Sequence, residues 1–134
     1  MATIKSFTDL PQSKKLAEIL PLESADMYFL GHQSITNPIE WEYEDMPTLR
    51  GKYIAFDNKR IFHPCWSLAA LLSVIPKHIK DYNVLRIDIG DNDTSIWYDE
   101  IGCGVNNDLP DITIKSTVDA CVAMIEKLHK LNLL

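Results

Sequence analysis

No Cys-x-x-Cys pair, no glycine-rich phosphate loop and no strongly basic stretch occurs in this chain, and each absence removes a class of function. The three cysteines, Cys65, Cys103 and Cys121, are odd in number and far apart. They outline neither a disulfide framework nor a thiolate metal knuckle, and they fit a reducing compartment. Among only five glycines, neither GxxxxGK[ST] nor GxGxxG can be found, so the motif-based nucleotide cradles are excluded. The net charge is −6, and the short basic pairs Lys14-Lys15 and Lys59-Arg60 stand among acids. A footprint that neutralises phosphates is therefore missing, and nucleic acid is not an expected partner. The longest apolar block, residues 65–75, is interrupted by Ser67 and Ser73 and enclosed by Pro64 and Pro76. Eleven such residues at about 1.5 Å each do not cross a hydrocarbon core of about 30 Å. With no apolar stretch of signal-peptide type at the N-terminus, the expected setting is cytoplasmic, without membrane contact.

What is present describes an ordinary globular chain. Of its 134 residues, 46% are hydrophobic and 24% charged, which predicts one domain over 1–134 with a core that needs no staple. A first helix is expected over 10–20, with Thr8 or Asp9 as cap, Pro11 in the first turn and Pro21 as the stop. Residues 25–30 read as extended, with Gly31 as a break. From 39 to 44 the chain alternates strictly, with Ile39, Trp41 and Tyr43 on one face and Glu40, Glu42 and Glu44 on the other, as in a strand with one wet side. Residues 52–56 and 60–62 around Asp57-Asn58-Lys59 predict a hairpin. The block 65–75 is apolar almost all round and predicts a buried central helix started by Pro64 and stopped by Pro76, with Trp66, Leu68, Ala69, Leu72 and Ile75 buried. Residues 84–99 predict a second hairpin turning at Gly90-Asp91-Asn92-Asp93. A loop over 102–111 and a short edge strand over 112–114 follow. The last helix, 117–131, carries Val118, Cys121, Val122, Ile125, Leu128 and His129 at helical spacing. This order predicts an α+β fold, a mainly antiparallel sheet packed with about three helices, rather than a βα-alternating one.

Two helical blocks, PCWSLAALLSVIP at 64–76 and VDACVAMIEKLHKLNLL at 118–134, resemble a family of small uncharacterised proteins of gut Bacteroidetes and their phages or mobile elements. The opening FTDLPQSKKLAEILPLESADM at 7–27 is similar to the same family. The resemblance implies a bacterial or phage-linked intracellular setting. It implies no activity and assigns no catalytic residue.

Chemistry-bearing residues are few. His63 and Cys65 flank Pro64, and a cysteine at a helix N-terminus would favour thiolate. Free cysteine is also among the most buried residue types, so packing competes with catalysis at Cys65 and more so at Cys121. Cys103 lies between Gly102 and Gly104, a pattern that more often marks a bulge or tight turn than a ligand contact. The four histidines, at 32, 63, 78 and 129, form no HxxxH or HExxH, and no metal or other cofactor is expected. The acids of 88–93 miss the glycine and glutamate positions of a calcium loop in either register. Trp41, Tyr43, Trp97 and Tyr98 are the candidate binding surface, because aromatics beside Glu40, Glu42 and Glu44 would give a mixed aromatic and acidic face. The expected function is therefore a non-enzymatic accessory protein that binds another protein or a second copy of itself. The competitor is a small enzyme using His63 with Cys65 or Cys103, or carboxylates of the second hairpin. For self-association, the apolar tail at 131–134 and the Trp41 and Tyr43 face are the expected contacts.

Overall fold

Asp9 opens the first helix, α1 (Leu10–Ala17), through a reciprocal cap. Its carboxylate accepts the Gln12 N–H at 2.9 Å, and the Gln12 side chain accepts the Asp9 N–H at 3.1 Å. The helix is shorter than expected, because residues 18–20 leave it as a turn ahead of Pro21, yet Leu16 and Leu20 both reach the core. The computed structural model describes residues 5–36, 40–49, 60–80, 83–100, 104–105 and 109–134. The first hairpin expected around Asp57-Asn58-Lys59 and the Ile39 end of the alternating segment lie outside the described residues, apart from the strand that begins at residue 60.

Four strands form a first antiparallel sheet: β1 (Met27–Gln33), β2 (Trp41–Tyr43), β3 (Thr48–Leu49) and β4 (Arg60–Cys65). β1 is its centre, with β2 and β3 successively along one side and β4 along the other. Gly31, expected as a break, lies inside β1 instead. It pairs with Tyr43 and Ile61, and a Cβ there would come within 2.8 Å of the Tyr43 ring. Glycine makes room for an aromatic ring laid across the sheet. Pro64 does not start a helix. It lies within β4, opposite Tyr28, on the outer strand of the described sheet, where a missing N–H is tolerated.

The central helix, α2 (Leu68–Val74), begins four residues later than Pro64 because Ser67 caps it. The Ser67 hydroxyl accepts the Ala70 N–H and donates to Asp26, and Asp26 also accepts the Ser67 N–H at 2.9 Å. Its burial corrects the all-round reading. Ala70 and Leu71 are buried, Leu68 and Leu72 half-buried, and Ala69 is exposed. Trp66 and Ile75 are buried as expected, but they flank the helix. Seven residues make two turns, too short to be enclosed on every side.

The second antiparallel sheet follows the expected hairpin: β5 (His78–Ile79), β6 (Asn83–Ile89), β7 (Thr94–Glu100), β8 (Gly104–Val105) and β9 (Ile112–Ile114). β6 and β7 pair along their full lengths, from Asn83–Glu100 to Ile89–Thr94, and Gly90 closes the turn by donating to the Asp93 carbonyl at 2.8 Å. β8 and β9 lie along the far side of β7, so the stretch expected as a loop contains a short strand. The last helix, α3 (Thr117–Lys130), packs on β7, β9, α1 and α2. Ser116 caps it, and it ends in a Schellman turn with Asn132 at φ 57°, where Leu133 N–H reaches the Leu128 carbonyl at 2.9 Å. Val118, Cys121, Val122, Ile125 and Leu128 are buried as expected, joined by Ala120 and Met124, whereas His129 is exposed. These side chains with Leu16, Trp66, Leu71, Ile96 and Tyr98 form the hydrophobic cluster of the molecule. No helix of the described residues is long and apolar enough to cross a membrane.

Candidate binding surface

Period-two geometry gives the first sheet two unlike faces. One carries Met27, Phe29 and Gly31 of β1, Tyr43 of β2, and Ile61, His63 and Cys65 of β4. α1 packs against it: Cys65 meets Thr8 just ahead of the helix, and the Lys14 ammonium lies 5.7 Å from the centre of the Tyr43 ring. The other face carries Tyr28, Leu30 and His32 of β1, Phe62 and Pro64 of β4, Glu42 of β2 and Thr48 of β3. Tyr28 and Phe62 meet edge to face at 5.2 Å, the preferred geometry for aromatic pairs. Tyr28, Leu30, Phe62 and Pro64 are only half-buried. The described helices lie elsewhere, α1 on the opposite face and α2 and α3 against the second half of the chain.

The four aromatics singled out in the sequence are not brought to one surface. Trp41 and Tyr43 are half-buried in the first sheet and face the side of α1, while Glu42 points the other way and Glu40 and Glu44 are exposed. Trp97 and Tyr98 are neighbours on β7 of the second sheet, on opposite faces. The half-buried Trp97 donates to Asp99 at 2.7 Å. Tyr98 is in the core, donates to the Pro76 carbonyl at 2.6 Å, and burial raises its phenol above the usual range. The aromatic pair on the face away from α1 is the half-buried Tyr28 and Phe62. The signal for it was the run MYFL at 27–30, where both strand faces are apolar at once, the pattern of a strand covered on two sides.

Of the cysteines, Cys65 and Cys121 lie within the described residues, and both are buried. Cys65 is fully buried at the end of β4, not at a helix N-terminus. Its Sγ donates to the Thr8 carbonyl at 3.4 Å and lies 3.6 Å from the Thr8 hydroxyl, which also meets Ser13 at 2.7 Å. Burial pushes this thiol up, against the nearby hydroxyls, so it is held as the neutral form. His63 sits two residues away on the same strand face, half-buried, with Nδ1 3.0 Å from the Pro64 carbonyl. A carbonyl only accepts, so Nδ1 carries the proton, and the ring lies edge-on to Tyr43 at 6.1 Å. Cys121 is buried on α3 and its thiol is pushed up to about 11 by burial. Cys65 and Cys121 are both free thiols. Cys103 lies outside the described residues. Among the described residues no three His, Cys, Asp or Glu side chains converge as a metal set.

A cleft of about 810 Å3 opens between the N-terminal segment, the β6–β7 turn and the start of α3, with Lys5, Leu68, Asp91, Lys115 and Thr117 in its wall. Lys5 is committed there: its ammonium donates to Asp119 at 2.7 Å, Gln12 at 2.8 Å and Asp9 at 3.0 Å. Burial lowers the Lys5 ammonium, but the two carboxylates outweigh it and hold it above its ordinary value. For Asp119 burial acts upward, and Lys5 and Gln12 outweigh it and hold the carboxyl below its ordinary range. Lys5 and Asp119 thus neutralise each other at the cleft's edge.

Compared with family models, curated proteins and solved structures, the chain matches none.

Proposed function

We propose that this chain is a non-enzymatic accessory protein that works by binding another protein through the outer face of its first sheet. A bacterial, phage or mobile-element setting belongs to the same proposal and is supported by the resemblance of the segments at 64–76 and 118–134. The observation that carries the binding reading is the set Tyr28, Leu30, Phe62 and Pro64, apolar side chains side by side on a sheet face away from the described helices. Contiguous apolar surface with a polar rim is the usual mark of an interaction site, and here exposed His32 and Glu42 supply that rim. The chemistry around Cys65 points the same way, since a buried neutral thiol offers neither access nor nucleophilicity.

Phe62→Asp tests the reading. It puts a charge at the centre of the face while leaving the hydrophobic cluster untouched. The wild-type chain, immobilised and exposed to extract of its native host, should retain a defined set of proteins that the Phe62→Asp chain loses. Lys127→Asp, a substitution at an exposed position on α3, should retain them. Equal retention by wild type and Phe62→Asp, with both chains folded by circular dichroism, would exclude this face as the binding site.

A further inference from the structure

β6 has an open edge. β5 reaches only its first two residues, pairing His78 with Val84 and Ile79 with Asn83, and one further bond runs from Leu85 N–H to the Lys77 carbonyl at 2.9 Å. Beyond that point, Arg86 to Ile89 have no strand on this side among the described residues. The ladder phase shows what the edge offers. Leu85 N–H points outward to Lys77, and Gly90 N–H points inward to Asp93. Backbone groups alternate along a strand, so Arg86 and Asp88 bond inward to β7, whereas Ile87 and Ile89 present N–H and C=O outward. Side chains alternate as well. Arg86 and Asp88 are exposed on one face, Ile87 is half-buried toward the core and Ile89 is 65% exposed.

We propose that two copies of this chain associate by antiparallel pairing of their β6 edges about a two-fold axis at Ile87. An edge strand is a template for another strand, and natural edges are commonly blunted with charge. On β6 the two charges have opposite sign and stand two residues apart, so register decides whether they block or join. Outward-pointing residues must meet outward-pointing residues, which leaves symmetric registers centred on 86, 87, 88 or 89. Centring on Arg86 sets Arg86 against its own copy, and centring on Asp88 sets Asp88 against its own copy. Like charges directly opposite are destabilising. Centring on Ile89 runs each strand past the turn that begins at Gly90, leaving Asp88 against a glycine. Centring on Ile87 places each Arg86 opposite the other copy's Asp88. The two Ile87 residues exchange N–H to C=O bonds, and their side chains meet on the core side. Arg86 and Asp88 then fall at a pair without ladder bonds, where the strands are closest. Arg86 already holds Asp99 at 3.3 Å on the same face, so the second copy adds an acid to a cation that is positioned. Isologous contacts of this kind are self-complementary by construction.

This register sets Ile89 of each copy opposite Leu85 of the other, the place that Lys77 holds in the single chain, so pairing must exchange the Leu85 N–H to Lys77 carbonyl bond for one to the second copy. Association is accordingly weak and depends on concentration. This surface is separate from the outer face of the first sheet, so the two proposals fail independently.

Sedimentation equilibrium of the full chain, up to on the order of 1 mM, provides the test. The wild type should shift from monomer toward dimer. Asp88→Arg should leave a monomer, because every copy then sets Arg86 against the cation introduced in the other. Adding Arg86→Asp to Asp88→Arg restores opposite charges with their places exchanged and should restore the dimer. Deleting 131–134, the apolar tail, should leave it in place. The proposal is overturned by a wild type that stays monomeric throughout, by a dimer that Asp88→Arg leaves intact, or by a double variant that stays monomeric while folded.

Discussion

The half of the molecule built on α3 and the half built on β1 hold their side chains by different means. α3 buries seven residues, among them Met124, Ile125 and Leu128, against the second sheet, and this face belongs to one continuous hydrophobic cluster. β1 fully buries only Phe29 and Gly31. Its sheet is fastened to the rest through hydrogen bonds: Thr8 N–H to the Trp66 carbonyl at 2.9 Å, Ser67 to Asp26, and the Trp66 indole to Ser24 at 2.9 Å. Apolar burial is roughly additive in area and contributes several kcal/mol per element, whereas each net hydrogen bond contributes about 1 kcal/mol. The comparison therefore assigns the anchoring of the fold to α3 and leaves the first sheet free to present a face. Segments with few buried apolar contacts open more readily, which suits a surface that docks a partner.

Ile125→Ala should be the most damaging change of those considered. Ile125 is completely buried in the cluster, and removing its methyl and methylene groups there should cost about 2–5 kcal/mol, part transfer and part cavity. Urea unfolding measures it. A loss below about 1 kcal/mol would show that α3 is not the anchor and dissolve the contrast.

Gly31→Ala probes the other half. The added Cβ meets Tyr43 Cε1 at 2.8 Å and Ile61 Cγ1 at 3.0 Å, so the ring must move, at about 1–3 kcal/mol. The cost should fall in a Tyr43→Ala background, because the nearer clash partner is then gone and only the Ile61 side chain remains close; residues in contact couple in this way. Equal costs in both backgrounds would mean that the glycine serves the backbone and not the ring.

The same contrast explains what could be read from the sequence. α3 was legible nearly to the residue, since 3.6-residue periodicity, Ser116 and the acid in its first turn agree with one another. The β6–β7 hairpin was legible because alternation and the Gly90 turn coincide. In the first sheet the strands expected over 25–30, 39–44 and 60–62 overlap β1, β2 and β4, but their ends were not legible. Gly31 and Pro64 normally punctuate, yet both lie inside strands, where Tyr43 needs the missing Cβ and the outer position of β4 tolerates the missing N–H. For α2, hydrophobic composition gave the helix but not its boundary, which a serine bound to Asp26, forty-one positions away, sets. Of the candidate surface, Trp41 and Tyr43 were placed on the right sheet but their direction depended on α1, a tertiary fact. Tyr28 and Phe62 were hidden because a strand apolar on both faces shows no alternation.

The smallest effect sharpens how α1 and α3 are tied together. Lys5 bridges Asp9 and Asp119, with Lys5 and Asp119 side chains 29% and 35% exposed, so solvent screens the pair and its contribution at neutral pH is at most about 1 kcal/mol. Asp119 is held below its ordinary pKa, which means the folded state favours the carboxylate. That contribution is fully present above about 4, the ordinary carboxyl value, and is lost as pH falls through the lower folded value. Lys5 is held above its ordinary pKa, so its contribution is present below about 10.4 and is lost as pH rises through the folded value. Asp119→Asn removes the charge and keeps an oxygen that can accept from Gln12. Its urea midpoint should lie below that of the wild type near pH 7, and the gap should close in strong acid, where Asp119 is protonated in both states. Added salt should narrow the gap near pH 7. A gap of the same size in acid and at pH 7 would show that Asp119 acts through shape or hydrogen bonding alone, and the ion pair would then contribute nothing to joining the two helices.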